Sequence, residues 1–340
     1  MLRAILQQLL HRVVSKTEEA LAEAPPGPAE DEAVTSEPVE APELARSAST
    51  VPLSRTAPLP MAAPFPPQFW VGTALDVGLH REHNEDTLYA YHSVIAGGQD
   101  EALPLGLFVV ADGMGGHLHG EEASRIAVTT FVQYLWQHWL HAIHGDLHPS
   151  PPESDLASIM EEAVVEAHHA VQANVPGGGT TLTAVFAWNR RLMIAHVGDS
   201  RAYLFDPKTQ TLRRLTTDHS WYQRLLDQGQ ISPEEAEQNT VNRNVLYQAL
   251  GQGGPLENIE ISIEQWEPGM TLLVCSDGLW DVVSDEDIQR TLQWAPSPML
   301  AAYELVEKAR AHGGPDNISV ICATFLPVPS GTEEEETSPS

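Results

Sequence analysis

Apolar positions along the chain follow two periods, one near 3.6 and one near 2, and most of the elements can be read from them. Residues 2–14 carry Leu2, Ile5, Leu6, Leu9, Leu10, Val13 and Val14 at i, i+3, i+4, i+7 spacing, which predicts an amphipathic helix. Helical spacing returns over 121–144 and 156–174. Apolar, β-branched runs over 105–111, 182–188, 192–197, 201–205, 271–276 and 318–325 predict strands. Tight turns at Asn189-Arg190 and Gly198-Asp199 join three of them in succession. Ser232 followed by Pro233, Glu234 and Glu235 predicts the start of a short helix. Many strands with a few long helices, and no alternating strand–helix–strand series, predict an α+β fold.

Composition divides this pattern into four parts. Residues 24–68 hold 11 of the chain's 26 prolines, with much Ala, Ser and Glu, and cannot bury enough apolar surface to fold. The predicted organisation is an amphipathic helix over 1–23, a disordered Pro/Ala/Glu-rich linker over 24–68, a folded domain over 69–326 and an acidic tail over 327–340. Before Glu18 the N-terminal helix carries only basic charge, Arg3, Arg12 and Lys16, so it is expected to dock on a partner helix or a membrane surface.

Against 18 Lys and Arg stand 47 Asp and Glu, a net charge of −29, which repels polyanions and argues against nucleic acid as a partner and against a nuclease. The same excess suits a protein that gathers divalent cations, or one that binds basic peptides. The two cysteines, Cys275 and Cys322, lie in predicted strands and read as buried, reduced thiols. No run of 18 apolar residues exists, and Gln7 and Gln8 break the N-terminal apolar stretch, so a cytoplasmic protein without a transmembrane segment or secretory signal is expected.

The candidate chemistry lies in the acidic residues at strand ends. Asp112 follows the run 107–111, Asp277 follows 272–276, Asp199 sits in the turn after 194–198, and Asp316 precedes 317–321. Glu85 and Asp86 close the polar stretch 81–86. A carboxylate at the end of a buried strand is costly unless it is paired or bound to metal. Three of the aspartates have an adjacent glycine (Gly113, Gly198, Gly278), which lets the backbone approach an ion and leaves its carbonyl free. Oxygen-only donors of this kind suit Mg²⁺ or Mn²⁺.

Motifs in the same stretches resemble those of the PP2C (PPM) family of metal-dependent serine/threonine phosphatases, bacterial branch. They are 73–86 (TALDVGLHREHNED), 110–117 (VADGMGGH), 179–181 (GTT), 196–203 (HVGDSRAY), 275–281 (CSDGLWD) and 314–317 (GPDN), in the family's order. The resemblance implies a four-layer α-β-β-α sandwich of two antiparallel sheets flanked by helices, with two Mn²⁺ or Mg²⁺ ions between the sheet edges. It implies that Asp112 bridges both ions and that the Gly113 carbonyl completes the second. Asp277 and Asp316 then hold the first ion, and Glu85 reaches the second through water, supported by Asp86. Arg81 grips the substrate phosphate, and Asp199 and Asp281 match the positions of a third, looser ion.

The implied reaction is hydrolysis of phosphoserine and phosphothreonine in proteins by a metal-activated water, opposing serine/threonine kinases. Phosphorylated proteins and a cognate kinase are the expected partners. Met114 stands where many eukaryotic members have a histidine, and a thioether donates no proton, so the leaving group is expected to be protonated by metal-bound water or by another side chain, with His117 a candidate. Residues 216–250 resemble the family's flap and read as a mobile, substrate-contacting segment. Two alternatives remain: a phosphopeptide-binding module without catalysis, and a dedicated regulatory phosphatase of a partner-switching protein.

Other signals read as structural. Residues 177–181 lack the ending of a P-loop, Ser200 lacks a nucleophile elbow, and His138, His141, His144 and His148 read as exposed.

Overall fold

The predicted apolar runs become strands sandwiched on both faces, and each strand's two faces serve different cores. The structure, a computed structural model, describes residues 67–95, 102–115, 118–142, 153–230 and 245–326. The expected N-terminal helix, nearly all of the linker, the helix start at Ser232, the acidic tail, His117, His144, His148 and the side chain of His141 lie outside them.

One sheet has five strands in the order β1 (Phe69–Asp76), β11 (Ile318–Phe325), β10 (Thr271–Cys275), β7 (Arg201–Asp206) and β8 (Thr211–Arg214). The other runs β2 (Asp86–Ile95), β3 (Leu103–Met114), β5 (Leu182–Trp188), β6 (Arg191–Val197) and β9 (Glu260–Gln265), with the short β4 (Gly179–Thr180) paired to the end of β3. All described pairings are antiparallel.

Side-chain alternation builds the layers. On β3, Phe108 and Val110 face the other sheet, where they meet Val274, Ile321 and Phe325. Leu107, Val109 and Ala111 face the opposite way, onto the long helices α1 (Leu118–Ala142) and α2 (Glu153–Asn174). On β10, Leu272 and Val274 enter the inter-sheet core. Leu273 and Cys275 pack under α4 (Asp277–Trp280), α5 (Asp285–Trp294) and α6 (Pro298–Ala311). These three cores make the expected α-β-β-α sandwich. Fully burying a Leu, Val or Phe side chain stabilises by roughly 1.5–3 kcal/mol, so this layering supplies the main driving force. Cys275 and Cys322 are buried and free, as expected, and burial pushes both thiols up.

Elements without a long apolar run escape the sequence reading. β8 and β9 are short, half-exposed edge strands. Helices α5 and α6 carry local signals instead: Ser284 accepts from the amide of Asp287 at 3.2 Å, and Ser297, ahead of Pro298, accepts from the amide of Leu300 at 3.2 Å.

Candidate active site

The end of β3 leaves the core as Asp112-Gly113-Met114, and main-chain bonds fix where the Asp112 carboxylate points. Its amide donates to Thr181 Oγ1 at 2.9 Å. Its carbonyl accepts from the Thr181 amide and from Thr180 Oγ1, each at 2.9 Å. The Gly113 amide donates to the Glu85 carbonyl at 3.1 Å. A Cβ at 113 would overlap the carbonyl oxygen of Gly120, so only glycine permits this approach. Asp86 pairs directly across from Asp112 in the β2–β3 register.

The other sheet contributes through the ends of β10 and β11. Asp277 opens α4 just past β10. A Cβ at the neighbouring Gly278 would overlap the Asn317 carbonyl oxygen, so the turn packs tightly on the start of β11. Asp316 precedes β11; its Oδ1 accepts from the Asn317 amide at 2.8 Å and its Oδ2 from Arg81 Nη2 at 2.7 Å.

Arg81, Glu85, Asp112, Gly113, Asp199, Asp277 and Asp316 thus wall one open pocket of about 560 Å³, together with Met114, Thr181, Leu246 and Gln252. Two expected site residues lie elsewhere. Asp86 is behind the wall, where its Oδ2 accepts from Ser276 Oγ at 2.7 Å and Ser319 Oγ at 2.6 Å. Asp281 is the exposed C-cap of α4, and its charge is felt by Asp277.

Burial, and then crowding of like charge, sets the electrostatics. Burial, followed by the charges of Asp86, Asp277 and Asp199, holds the Asp112 carboxyl well above the usual range. Burial and then Asp316 push Asp277 up to about 7. Burial lifts Asp86 to about 6 against the opposing bonds from Ser319 and Ser276. Asp199 is raised by burial and by Asp277. Asp112 and Asp277 keep contact with solvent through the pocket, which tempers their shifts. Oδ1 of Asp86 and Oδ1 of Asp277 are buried with no hydrogen-bond partner. Oxygen-only donors, mutual repulsion and partnerless buried oxygens fit a hard divalent cation.

Supporting residues were not legible as such. Asn317 accepts from the Glu85 amide at 2.8 Å and donates to the carbonyls of Val77 and His83, each at 2.9 Å. It thereby moors the loop carrying Arg81 and Glu85 to β11; it stands in the 314–317 motif, the one signal that marks it. Ser276 and Ser319 had no signal beyond their place at strand ends.

A second network supports Asp199. Arg201 pairs with Asp218 through two bonds of 2.9 and 2.6 Å and lies 3.5 Å over the Trp280 ring. The Trp280 Nε1 donates to the Asp199 carbonyl at 3.0 Å.

The flap reading needs correction at its two ends. Asp218 is held by Arg201, the Tyr247 amide donates to the His219 carbonyl at 3.0 Å, and Ser220 bridges to Leu246. Residues 216–221 and 245–250 are therefore anchored by buried polar bonds, which a mobile segment would not have. Helix α3 (Trp221–Asp227) follows the first anchor, and 231–244 lie outside the described residues. Beneath the anchor, His196, His219 and Glu260 bring ligand-type atoms within 4.8 Å of one another. Both His196 nitrogens and Glu260 Oε2 are already bonded, to Thr183, Thr217 and the Thr217 amide; His219 Nε2 has no partner among the described residues, but with the other two members occupied the trio reads as a structural junction.

The structural readings of 177–181 and Ser200 agree with the geometry. Thr180 and Thr181 serve Asp112, and the Ser200 hydroxyl is buried against Thr181 Oγ1 at 2.7 Å. His138 is half-buried rather than exposed, stacked on Tyr134.

The family profile described as protein phosphatase 2C matches residues 90–309, more than half of the chain. The chain belongs to the protein phosphatase 2C family. It is 35% identical over 257 residues to the serine/threonine protein phosphatase PstP of Mycobacterium tuberculosis, covering 74% of this chain and 44% of that protein. The match thus spans less than half the length of the mycobacterial relative. To the serine/threonine phosphatase stp of Listeria welshimeri it is 34% identical over 246 residues, covering 72% of this chain and 92% of that one. The crystal structure of Mycobacterium tuberculosis PstP/Ppp superposes with a TM-score of 0.62 at 34% identity, covering 76% of this chain and 99% of that one. A PstP catalytic domain in complex with two manganese ions superposes at 0.58 with 33% identity and the same coverage.

Proposed function

We propose that the domain spanning 69–326 is a metal-dependent protein phosphatase that hydrolyses phosphoserine and phosphothreonine. The carrying observation is the convergence of Asp112, Asp277 and Asp316, from three strand ends, on one pocket with Arg81. Asp112, Asp277 and Asp316, with the Gly113 carbonyl and Glu85, would hold two Mn²⁺ or Mg²⁺ ions; two manganese ions in a PstP relative support this reading. Such ions, when bound, supply a water acidic enough to ionise near neutral pH and positive charge for the phosphoryl oxygens.

The chain's own residues do the rest. Arg81 is the cation of the pocket wall, and its fork suits phosphate oxygens. Its side chain is 47% exposed and its one bond to Asp316 is at the pocket, so gripping phosphate requires only a local swing. Asp86 does not face the substrate; it takes two serine hydroxyls and fixes the β2 end beside Asp112. Met114 lines the pocket and moves no proton. Asp199, buried in the pocket wall, would help to hold a third ion, with Asp281 acting on Asp277 from outside the wall. Phosphoproteins are the substrates and a cognate kinase supplies them; among the described residues no helix is long and apolar enough to cross a membrane.

The test is turnover of p-nitrophenyl phosphate and a phosphothreonine peptide with and without Mn²⁺, in wild type and Asp112→Asn. Turnover is expected to require Mn²⁺ and to fall at least ~1,000-fold in the variant. Near-wild-type, Mn²⁺-dependent hydrolysis by Asp112→Asn would overturn the assignment.

A further inference from the structure

Beside the pocket that holds the carboxylates lies a second cavity of about 350 Å³, within the usual range of ligand sites. Leu246 and Gln252 belong to the walls of both, so the two cavities adjoin. The outer wall is the loop that carries Gly253, Gly254 and Glu257.

That loop is glycine-rich and exposed, yet it is held at several points. Gln248 Oε1 accepts from the amides of Glu257 at 2.8 Å and Asn258 at 3.0 Å, clamping its far end. Gln172 on α2 donates to the Gly253 carbonyl at 3.0 Å. Thr180 and Leu250 exchange main-chain bonds of 3.0 and 2.8 Å at the near end. An exposed loop fixed this way is pre-organised, which lowers the entropic cost of binding.

Gly254 gives the sharper indication. It does not sit in the left-handed region, and as the residue before Pro255 it favours extended backbone that any residue adopts. A Cβ added there would meet nothing within 4 Å. Neither conformation nor packing calls for glycine at this position. Gly254 lines the cavity, and a side chain added there would stand in open space.

We propose that this groove binds the main chain of the phosphoprotein next to its phosphorylated residue, with Gly254 left bare so that the backbones can approach. The proposal rests on the phosphatase reading of the adjoining pocket and names how that site engages a polypeptide. Because the groove adjoins the carboxylate pocket at Leu246 and Gln252, a chain anchored by its phosphate would have the groove within reach of its flanking residues.

Wild type and Gly254→Leu are assayed with Mn²⁺ on three substrates: p-nitrophenyl phosphate, free phosphothreonine and a phosphothreonine peptide of about nine residues. For wild type, kcat/KM is expected to rise about tenfold or more from phosphothreonine to the peptide. Gly254→Leu is expected to lose that gain, mainly through KM, and to keep p-nitrophenyl phosphate turnover within about twofold. The proposal is overturned if flanking residues bring wild type no gain, or if the variant keeps the gain. Parallel loss on all three substrates would also overturn it, because the loop would then merely support the pocket. Wild type inert on all three would instead sink the phosphatase reading, and this proposal with it.

Discussion

At the residue scale, one amide side chain holds an exposed loop of the site. Asn317 satisfies the Glu85 amide and the carbonyls of Val77 and His83 at once, and all three groups belong to the stretch that carries Arg81. Asn317→Ala leaves them unpaired while removing little apolar packing. A stranded buried polar group costs about 1–3 kcal/mol, and water reaches part of this loop, so the expected loss is about 2–4 kcal/mol. Urea unfolding measures it. Because Arg81 and Glu85 lose their mooring, kcat/KM for p-nitrophenyl phosphate should fall as well; a variant destabilised by that amount with unaltered kinetics would contradict the mooring role. The strand-end aspartates were legible because a carboxylate beside an apolar run is conspicuous. Asn317 was not, since its partners lie more than 200 positions away and an asparagine before a strand is ordinary turn chemistry.

At the element scale, β6, β9 and the flap anchor meet at two buried imidazoles. His196 and Glu260 are cross-strand partners, and His219 enters from the anchor with its ring centroid 5.0 Å from that of His196. Burial, and then the neighbouring His219, lower His196 to about 3; burial lowers His219 to about 4, against the opposing charge of Asp218. Both folded values lie below the unfolded value near 6.5, so the unfolded chain binds more protons between them. Stability from this junction is therefore complete above about pH 6.5 and is lost as pH falls through 6.5 toward 4 and 3. At pH 5 the loss is about 2 kcal/mol per ring. Urea midpoints compared between pH 7 and pH 5 should drop less in His196→Gln than in wild type; an equal drop would refute the junction as a source of acid lability. Elements with strong periodicity, such as β3, β5, α1 and α2, could be read to within a few residues at their ends. Strands β8 and β9 could not, because edge strands with one half-exposed face lack the apolar run that marks a central strand.

At the scale of the whole molecule, the carboxylates that serve the site work against the fold. Asp112, Asp199 and Asp277 face one another in a chain of net charge −29, and their raised pKa values express their burial first and their mutual repulsion second. A cation bound by the folded state and not the unfolded one stabilises by mass action, so Mn²⁺ should raise Tm and chelation should reverse the shift. Asp277→Asn removes one of the repelling charges. It should raise Tm without metal, by the equivalent of about 1–2 kcal/mol, and shrink the Mn²⁺-induced shift. Calorimetry with and without Mn²⁺ checks both; a variant less stable than wild type without metal, and equally responsive to Mn²⁺, would contradict this account.

Local pattern alone determined the central strands and long helices, the acidic residues poised at strand ends and the family motifs, because burial on both faces and turn chemistry leave periods and residue types that can be read within a dozen positions. Only the tertiary structure decided that Arg81 meets Asp316 across 235 positions, that Asp86 stands behind the pocket on two serines, that the flap's ends are fastened, and that a groove opens beside Gly254. Those contacts depend on how two twisted sheets stack and bring distant strand ends together, and no short stretch of chain encodes that distance.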